Sequence, residues 1–240
     1  MFKTLLILGL MLKTTVSVAQ TTNFASPHGI SEECRVLPKI PGGEYSKKDL
    51  KKEQEFCATD FYNTTAVALC PKTWSTSPGT MVYDISKSGK SQRDYEAQAS
   101  CGGSKDGHDT IAKFKQTMNN SGTSGTFAPS SLLYYHMARY FDTSVDVPPA
   151  VLRTMDKDAH MSRVTQRAVA GNMGKSAMNR AGWDWILKGE QNPSAYVPAR
   201  ELFTSDLRQI FGVMVHGGGE RYGSEINGVR SAWGDAQNVG

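Results

Sequence analysis

The chain of 240 residues lacks most of the short signatures that name a chemistry. It has no G-x-x-x-x-G-K-[ST] loop, no G-x-G-x-x-G opening a helix, and no H-E-x-x-H. P-loop nucleotide binding, dinucleotide binding and zinc proteolysis of the usual kinds are therefore excluded. No G-x-S-x-G nucleophile elbow occurs, which removes the common serine hydrolases. No C-x-x-C pair and no Cys/His pair at ligand spacing occurs, so a structural zinc site is excluded as well. The apolar run Thr4 to Leu12 is far shorter than the ~20 residues a bilayer-spanning helix needs. Acid is missing from one long stretch: no Asp or Glu lies between Ser121 and Phe141.

What is present begins with the N-terminus. Met1-Phe2-Lys3 is a short positive start, Thr4 to Leu12 is apolar, and Ser17-Val18-Ala19 places small residues where a signal peptidase reads them. This layout predicts a signal peptide over 1–19, cleavage before Gln20, and a periplasmic or extracellular protein. Lys3 and Lys13 leave with it, taking 27 Lys+Arg to 25 against 23 Asp+Glu, a balance of +2. The one dense basic cluster, Lys47, Lys48, Lys51 and Lys52, is interleaved with Glu44, Asp49, Glu53 and Glu55. Such mixing predicts a solvated helix face and no nucleic-acid partner.

Four cysteines, Cys34, Cys57, Cys70 and Cys101, lie in the first half of the chain. An even count in an exported protein predicts two disulfides. Three connectivities remain open, with Cys34–Cys57 and Cys70–Cys101 preferred because neighbouring partners close moderate loops.

Along the chain, 20–59 is expected to be an irregular lead-in with one helix, N-capped by Ser46 and running to Cys57. Strands are expected over Thr64–Cys70, Thr80–Ile85 and Asp109–Met118, with a polar loop from Lys87 to Gly107. In the third strand Ile111, Lys113 and Lys115 share one face, and Ala112 and Phe114 the other. Pro129-Ser130-Ser131 opens a helix to Phe141, whose buried face is predicted to be Leu133, Met137, Tyr140 and Phe141. Val145–Met155 is extended. Helices are expected over Asp156–Ala170, Ser176–Leu187 and Ser205–Val215, followed by a glycine-rich tail. Strands early and helices late predict an α+β fold, a small antiparallel sheet with one packed helix followed by a mainly helical region. The expected units are 60–155, sheet plus helix, and 156–240, mainly helical and open to being truncated at its end.

Lys113 on its strand, the loop after it, the helix Ser131–Phe141 and the strand Val147-Pro148-Pro149-Ala150-Val151 follow in an order that resembles the N-lobe of atypical kinases. That group contains the phosphatidylinositol 4-kinases, HipA-type toxin kinases and Golgi secretory kinases. The resemblance spans residues 80–155. It implies ATP as cofactor, with Lys113 in the place of the phosphate-binding lysine and Lys115 as its neighbour. Ser131 stands where the family's helix carries an acid, and no H-R-D-x-x-x-x-N or D-F-G run follows, so the implied lobe is catalytically incomplete. The bland alternative for both lysines is a solvated strand face. The wider run from Thr123-Ser124-Gly125-Thr126-Phe127-Ala128-Pro129 through Arg153-Thr154-Met155-Asp156 also resembles a group of uncharacterised exported bacterial proteins, which implies export and a shared fold without an activity. A non-enzymatic module that binds an envelope protein is the competing expectation, with Tyr134, Tyr135, Tyr140 and Phe141 as core or partner-facing patch. His216-Gly217-Gly218-Gly219 is similar to a lipase oxyanion loop, but without a nucleophile it predicts a turn.

Overall fold

The computed structural model describes residues 20–72, 77–98, 109–117, 127–171, 177–195 and 202–216. The expected signal peptide, Cys101 and most of the glycine-rich tail lie outside the described residues.

Seven strands form one antiparallel sheet in the order β1-β2-β6-β7-β5-β4-β3. The first departure from expectation is at its start. The lead-in is a hairpin, β1 (Gln20–Ala25) against β2 (Ser31–Val36), turned by Gly29 at φ +71°. The alternation in β2 was hidden because one of its two buried residues is Glu32 and the other Cys34. Helix α1 (Lys47–Ala58) begins as predicted: Ser46 Oγ accepts the Asp49 N–H at 3.1 Å and Asp49 accepts the Ser46 N–H at 2.9 Å.

β3 (Val67–Pro71), β4 (Thr80–Asp84) and β5 (Asp109–Gln116) make a meander. The stretch expected to be loop between β4 and β5 holds a short helix, α2 (Gln92–Glu96). Its function in the fold is to close an edge. Val67 O accepts from Gln92 Nε2 at 2.6 Å, and Leu69 N–H donates to Glu96 at 2.7 Å. Arg167 reaches Leu69 O at 3.1 Å, so the outer rim of β3 is satisfied by side chains and offers no free ladder to another chain.

Helix α3 (Ser130–Tyr140) precedes β6 (Ala150–Asp156). Asp156 caps the next helical segment by accepting the N–H groups of Asp158 and Ala159. That segment runs as α4 (Lys157–His160), a π-helical stretch over Met161–Thr165, and α5 (Gln166–Ala170). The helix α6 (Ala177–Gln191) follows. The helix expected over Ser205–Val215 is instead strand β7 (Gln209–Val215), paired with both β5 and β6. A central strand covered on both faces is apolar without alternation, and Ile210, Phe211 and Met214 mimic helical spacing by accident. Leu207 at φ +59° breaks the chain just before it. The sheet thus reaches well outside 60–155.

One sheet face carries Val82, Ala112, Phe114, Val151, Ile210 and Met214 and packs against Phe56 of α1 and Trp183 and Ile186 of α6. On the other face, α3 covers Ala150 and Val213 with Leu132 and Tyr135, while Tyr95 of α2 packs with Cys70, Met81 and Tyr83. α3 turns inward a different stripe from the one predicted. Leu132, Tyr135, His136 and Ala138 are buried, and Leu133, Met137, Tyr140 and Phe141 are 39–66% exposed. The doublets Leu132-Leu133 and Tyr134-Tyr135 draw two apolar stripes on one helix, and polar partners decide between them. Tyr135 donates to buried Glu53 at 2.9 Å, His136 pairs with Tyr45 Oη at 2.7 Å, and Arg139 grips Asp49 through two bonds of 2.8 and 2.9 Å.

The disulfide Cys34–Cys57 fastens β2 to α1, the preferred pairing. Cys70 is disulfide-bonded too.

β7 fits its slot only because residue 212 is glycine. A Cβ there would lie 2.3 Å from the ring of Phe114, which is fully buried between Phe61 and His160 and has no room to swing. Gly212→Ala is expected to cost ~2 kcal/mol through overpacking. Urea denaturation checks it, and an unchanged midpoint would show that the ring relocates freely.

Candidate functional site

Between the α3 cluster and the α2 cluster, on the same sheet face, runs β5 with Lys113 and Lys115. Strand register places Met81, Lys113, Val215 and Ala150 in one row across the sheet, and Lys115, Val213 and Leu152 in the next. Both lysines are partly buried, as expected for residues framed by two helices rather than spread on an open strand. Lys115 Nζ donates to Ser131 Oγ in the first turn of α3 at 3.2 Å.

A third lysine joins them. Lys72 closes β3, and its N–H donates to Gly79 O at 2.8 Å. Since Thr80 pairs with Phe114, Gly79 is opposite Lys115. The sequence gives no sign of this, because Lys72 lies some forty residues from β5 and its nearness depends wholly on the order β3-β4-β5. Burial holds Lys72 down at about 8, and the charges of Lys113 and Lys115 add to the depression. Burial likewise lowers Lys115, with Lys113 contributing. Among the described residues no carboxylate raises either amine back. Three lysines thus share this face, with a hydroxyl beside Lys115, and burial together with like charge disfavours the protonated form of Lys72 and Lys115.

Other chemistry-bearing groups are committed to the fold. His160 is fully buried, its Nδ1 2.5 Å from Glu190 and its Nε2 2.9 Å from Thr80 Oγ1. Ser26, Asp156 and His28 come together, but the hydroxyl and the imidazole both address the same carboxylate oxygen, at 2.6 and 2.7 Å. The hydroxyl donates to the carboxylate, so the imidazole has no nucleophile to deprotonate and the trio is a cap on α4. A groove of about 770 Å³ lies between α1 and the 142–149 segment. It is lined by Lys48, Lys51 and Lys52 on one side and Asp142 and Asp146 on the other, open charges of both signs that select no ligand class. His216 borders it, held below its ordinary value by burial and by Lys52; the glycines that follow it lie outside the described residues. Among the described residues no cluster of His, Cys, Asp and Glu could hold a metal ion, and no helix is long and apolar enough to cross a membrane.

No protein family, curated protein or solved structure matches the chain.

The lysine cluster should weaken the fold that carries it. Lys72 has a folded-state value near 8 against ~10.4 when unfolded, so the unfolded chain binds more protons between these values and stability rises with pH across that window. Lys72→Met is expected to raise stability at neutral pH by ~0.5–1 kcal/mol, after allowance for solvent screening. It should also flatten the rise between about 8 and ~10.4. Thermal denaturation across that range checks both.

Proposed function

We propose that this chain is an exported phosphate-binding module, similar to the N-lobe of an atypical kinase and catalytically incomplete as it stands. Lys113 and Lys115 take the nucleotide phosphates. The observation that supports it is the contact between Lys115 and Ser131: a strand lysine reaches the first turn of the neighbouring helix, although the kinase resemblance gives that place to Lys113 and makes Lys115 its neighbour. Where that resemblance calls for an acid, Ser131 supplies only a hydroxyl. Lys115 therefore gains no neutralising charge from α3, and a bound phosphate is left to provide it. The disulfide Cys34–Cys57 supports export, because such bonds persist in oxidising compartments.

A second reading, a non-enzymatic envelope-binding module, is favoured by α3. Tyr134, Met137, Tyr140 and Phe141 are exposed along one face with Leu133, an apolar stripe of the kind that marks interaction surfaces.

The two readings part in binding assays on residues 20–240. A labelled ATP analogue is expected to bind and to be lost in Lys113→Ala and Lys115→Ala, whereas absence of binding at millimolar nucleotide overturns the phosphate reading. For the second, a stoichiometric envelope partner is expected to be retained by the wild-type chain and lost in Tyr134→Ser/Phe141→Ser. Retention by that variant removes α3 from the interface.

A further inference from the structure

Lys72, Gly79 and Lys115 form a row across three strands, and the middle member has no side chain. A Cβ on Gly79 would stand 3.8 Å from Lys72 Cδ and 3.9 Å from Phe114 O, so there is space for one and it would occupy the gap between the two lysines. The two outer Cα atoms are separated by two strand spacings, ~10 Å. The floor between them is bare backbone. Lys113 stands two residues along β5 from Lys115 on the same face, next to Met81. Among the described residues the charged groups facing Lys72 are Lys113 and Lys115 from β5; Met81 comes from β4 and Gly79 from its approach, and α3 contributes Ser131 near Lys115.

A lone phosphate at the β5 end meets Lys113, Lys115 and the Ser131 hydroxyl and leaves Lys72 unmatched. A diphosphate extends over the glycine. Only a longer chain brings a charge to Lys72 as well. We infer that Lys72, Gly79, Lys115 and Lys113 form a track for a linked chain of three or more phosphates, with Lys72 holding the end farthest from α3 and setting the minimum length. This rests on the phosphate-binding reading and adds the class of ligand to it. The nucleoside triphosphate and the inorganic polyphosphate share that chemistry. Lys72 must carry its proton to act, so a bound chain draws a proton onto it and raises its value above about 8.

The test is calorimetric titration of residues 20–240 with orthophosphate, pyrophosphate, tripolyphosphate and ATP, each at a pH below and a pH above about 8. Tripolyphosphate is expected to bind about tenfold more tightly than pyrophosphate, a difference of ~1.4 kcal/mol, at the lower pH, with the advantage shrinking at the higher. ATP that binds more tightly than tripolyphosphate identifies a nucleotide site, and ATP that binds more weakly identifies an inorganic chain; both uphold the track. Lys72→Ala is expected to bring tripolyphosphate down to the pyrophosphate level and leave pyrophosphate unchanged. Gly79→Val is expected to do the same with Lys72 in place, and Lys72→Arg to keep the length preference at the higher pH. Equal affinity for the two chains in the wild type, or an equal loss for both in Lys72→Ala, overturns the track while leaving phosphate binding intact. Failure of all four anions to bind overturns the phosphate reading and the track together.

Discussion

A single buried cation organises this molecule. Arg153, in β6, is wholly excluded from solvent, and burial pulls its guanidinium down to about 10. Its Nη1 donates to the carbonyls of Phe56 and Thr59 at 3.1 and 2.7 Å, closing the C-terminal end of α1 where carbonyls lack helical partners. Its planar faces lie 4.3 and 4.0 Å from the rings of Phe24 and Phe61, which cover Nη2 and Nε where no hydrogen-bond acceptor does. The countercharge is Glu32 of β2, equally buried, 4.0 Å away, and itself fixed by the hydroxyl of Tyr62 and the N–H of Asp156. Burial raises the Glu32 carboxyl, the hydrogen bonds and Arg153 opposing it. A buried pair of this kind strands an uncompensated charge when one member goes, typically ~3–5 kcal/mol. β1, β2, β6 and α1 therefore stand or fall together, and the disulfide Cys34–Cys57 runs through the same junction.

Against this closed side, the face bearing β5 brings like charges together. Arg153, Arg139 and Arg163 each have a carboxylate, at 4.0, 2.8 and 2.6 Å respectively, while among the described residues Lys72 and Lys115 pair with none and lie near Lys113, with the Ser131 hydroxyl beside Lys115. These three arginines are each matched to a carboxylate, whereas the partly buried Lys72 and Lys115 are clustered with Lys113. Sites that bind tend to be strained in the unbound state, at the expense of stability.

How far the residues announced this varies by element, for identifiable reasons. The Ser46 cap, the meander strands and the lysine-bearing face of β5 follow from local rules, since their side chains answer to near neighbours. The β1–β2 hairpin did not announce itself because Glu32 is a charge turned into the core, satisfied by Tyr62 and Asp156 from far along the chain. Residues 209–215 imitate a helix because a strand buried on both faces carries no alternation. On α3 two stripes were equally apolar, and Glu53, Asp49 and Tyr45, which chose between them, stand 82, 90 and 91 residues before their partners. Of the site, Lys113 and Lys115 were visible as neighbours on one strand. Lys72 entered only through topology.

β7 has one further consequence. In the order β1-β2-β6-β7-β5-β4-β3 it is the bridge between two three-stranded halves, and it comes after all six other strands of this sheet in the chain. A polypeptide emerging N-terminus first, from a ribosome or through a translocation pore, presents two half-sheets with a vacant lane between β5 and β6 until residue 215 has cleared the exit. During that interval both lane walls expose unpaired backbone, and any extended segment could occupy the lane by mistake. Closure is a single late zipping event, so the time spent half-finished is set by the rate of delivery of the chain rather than by the stability of either half.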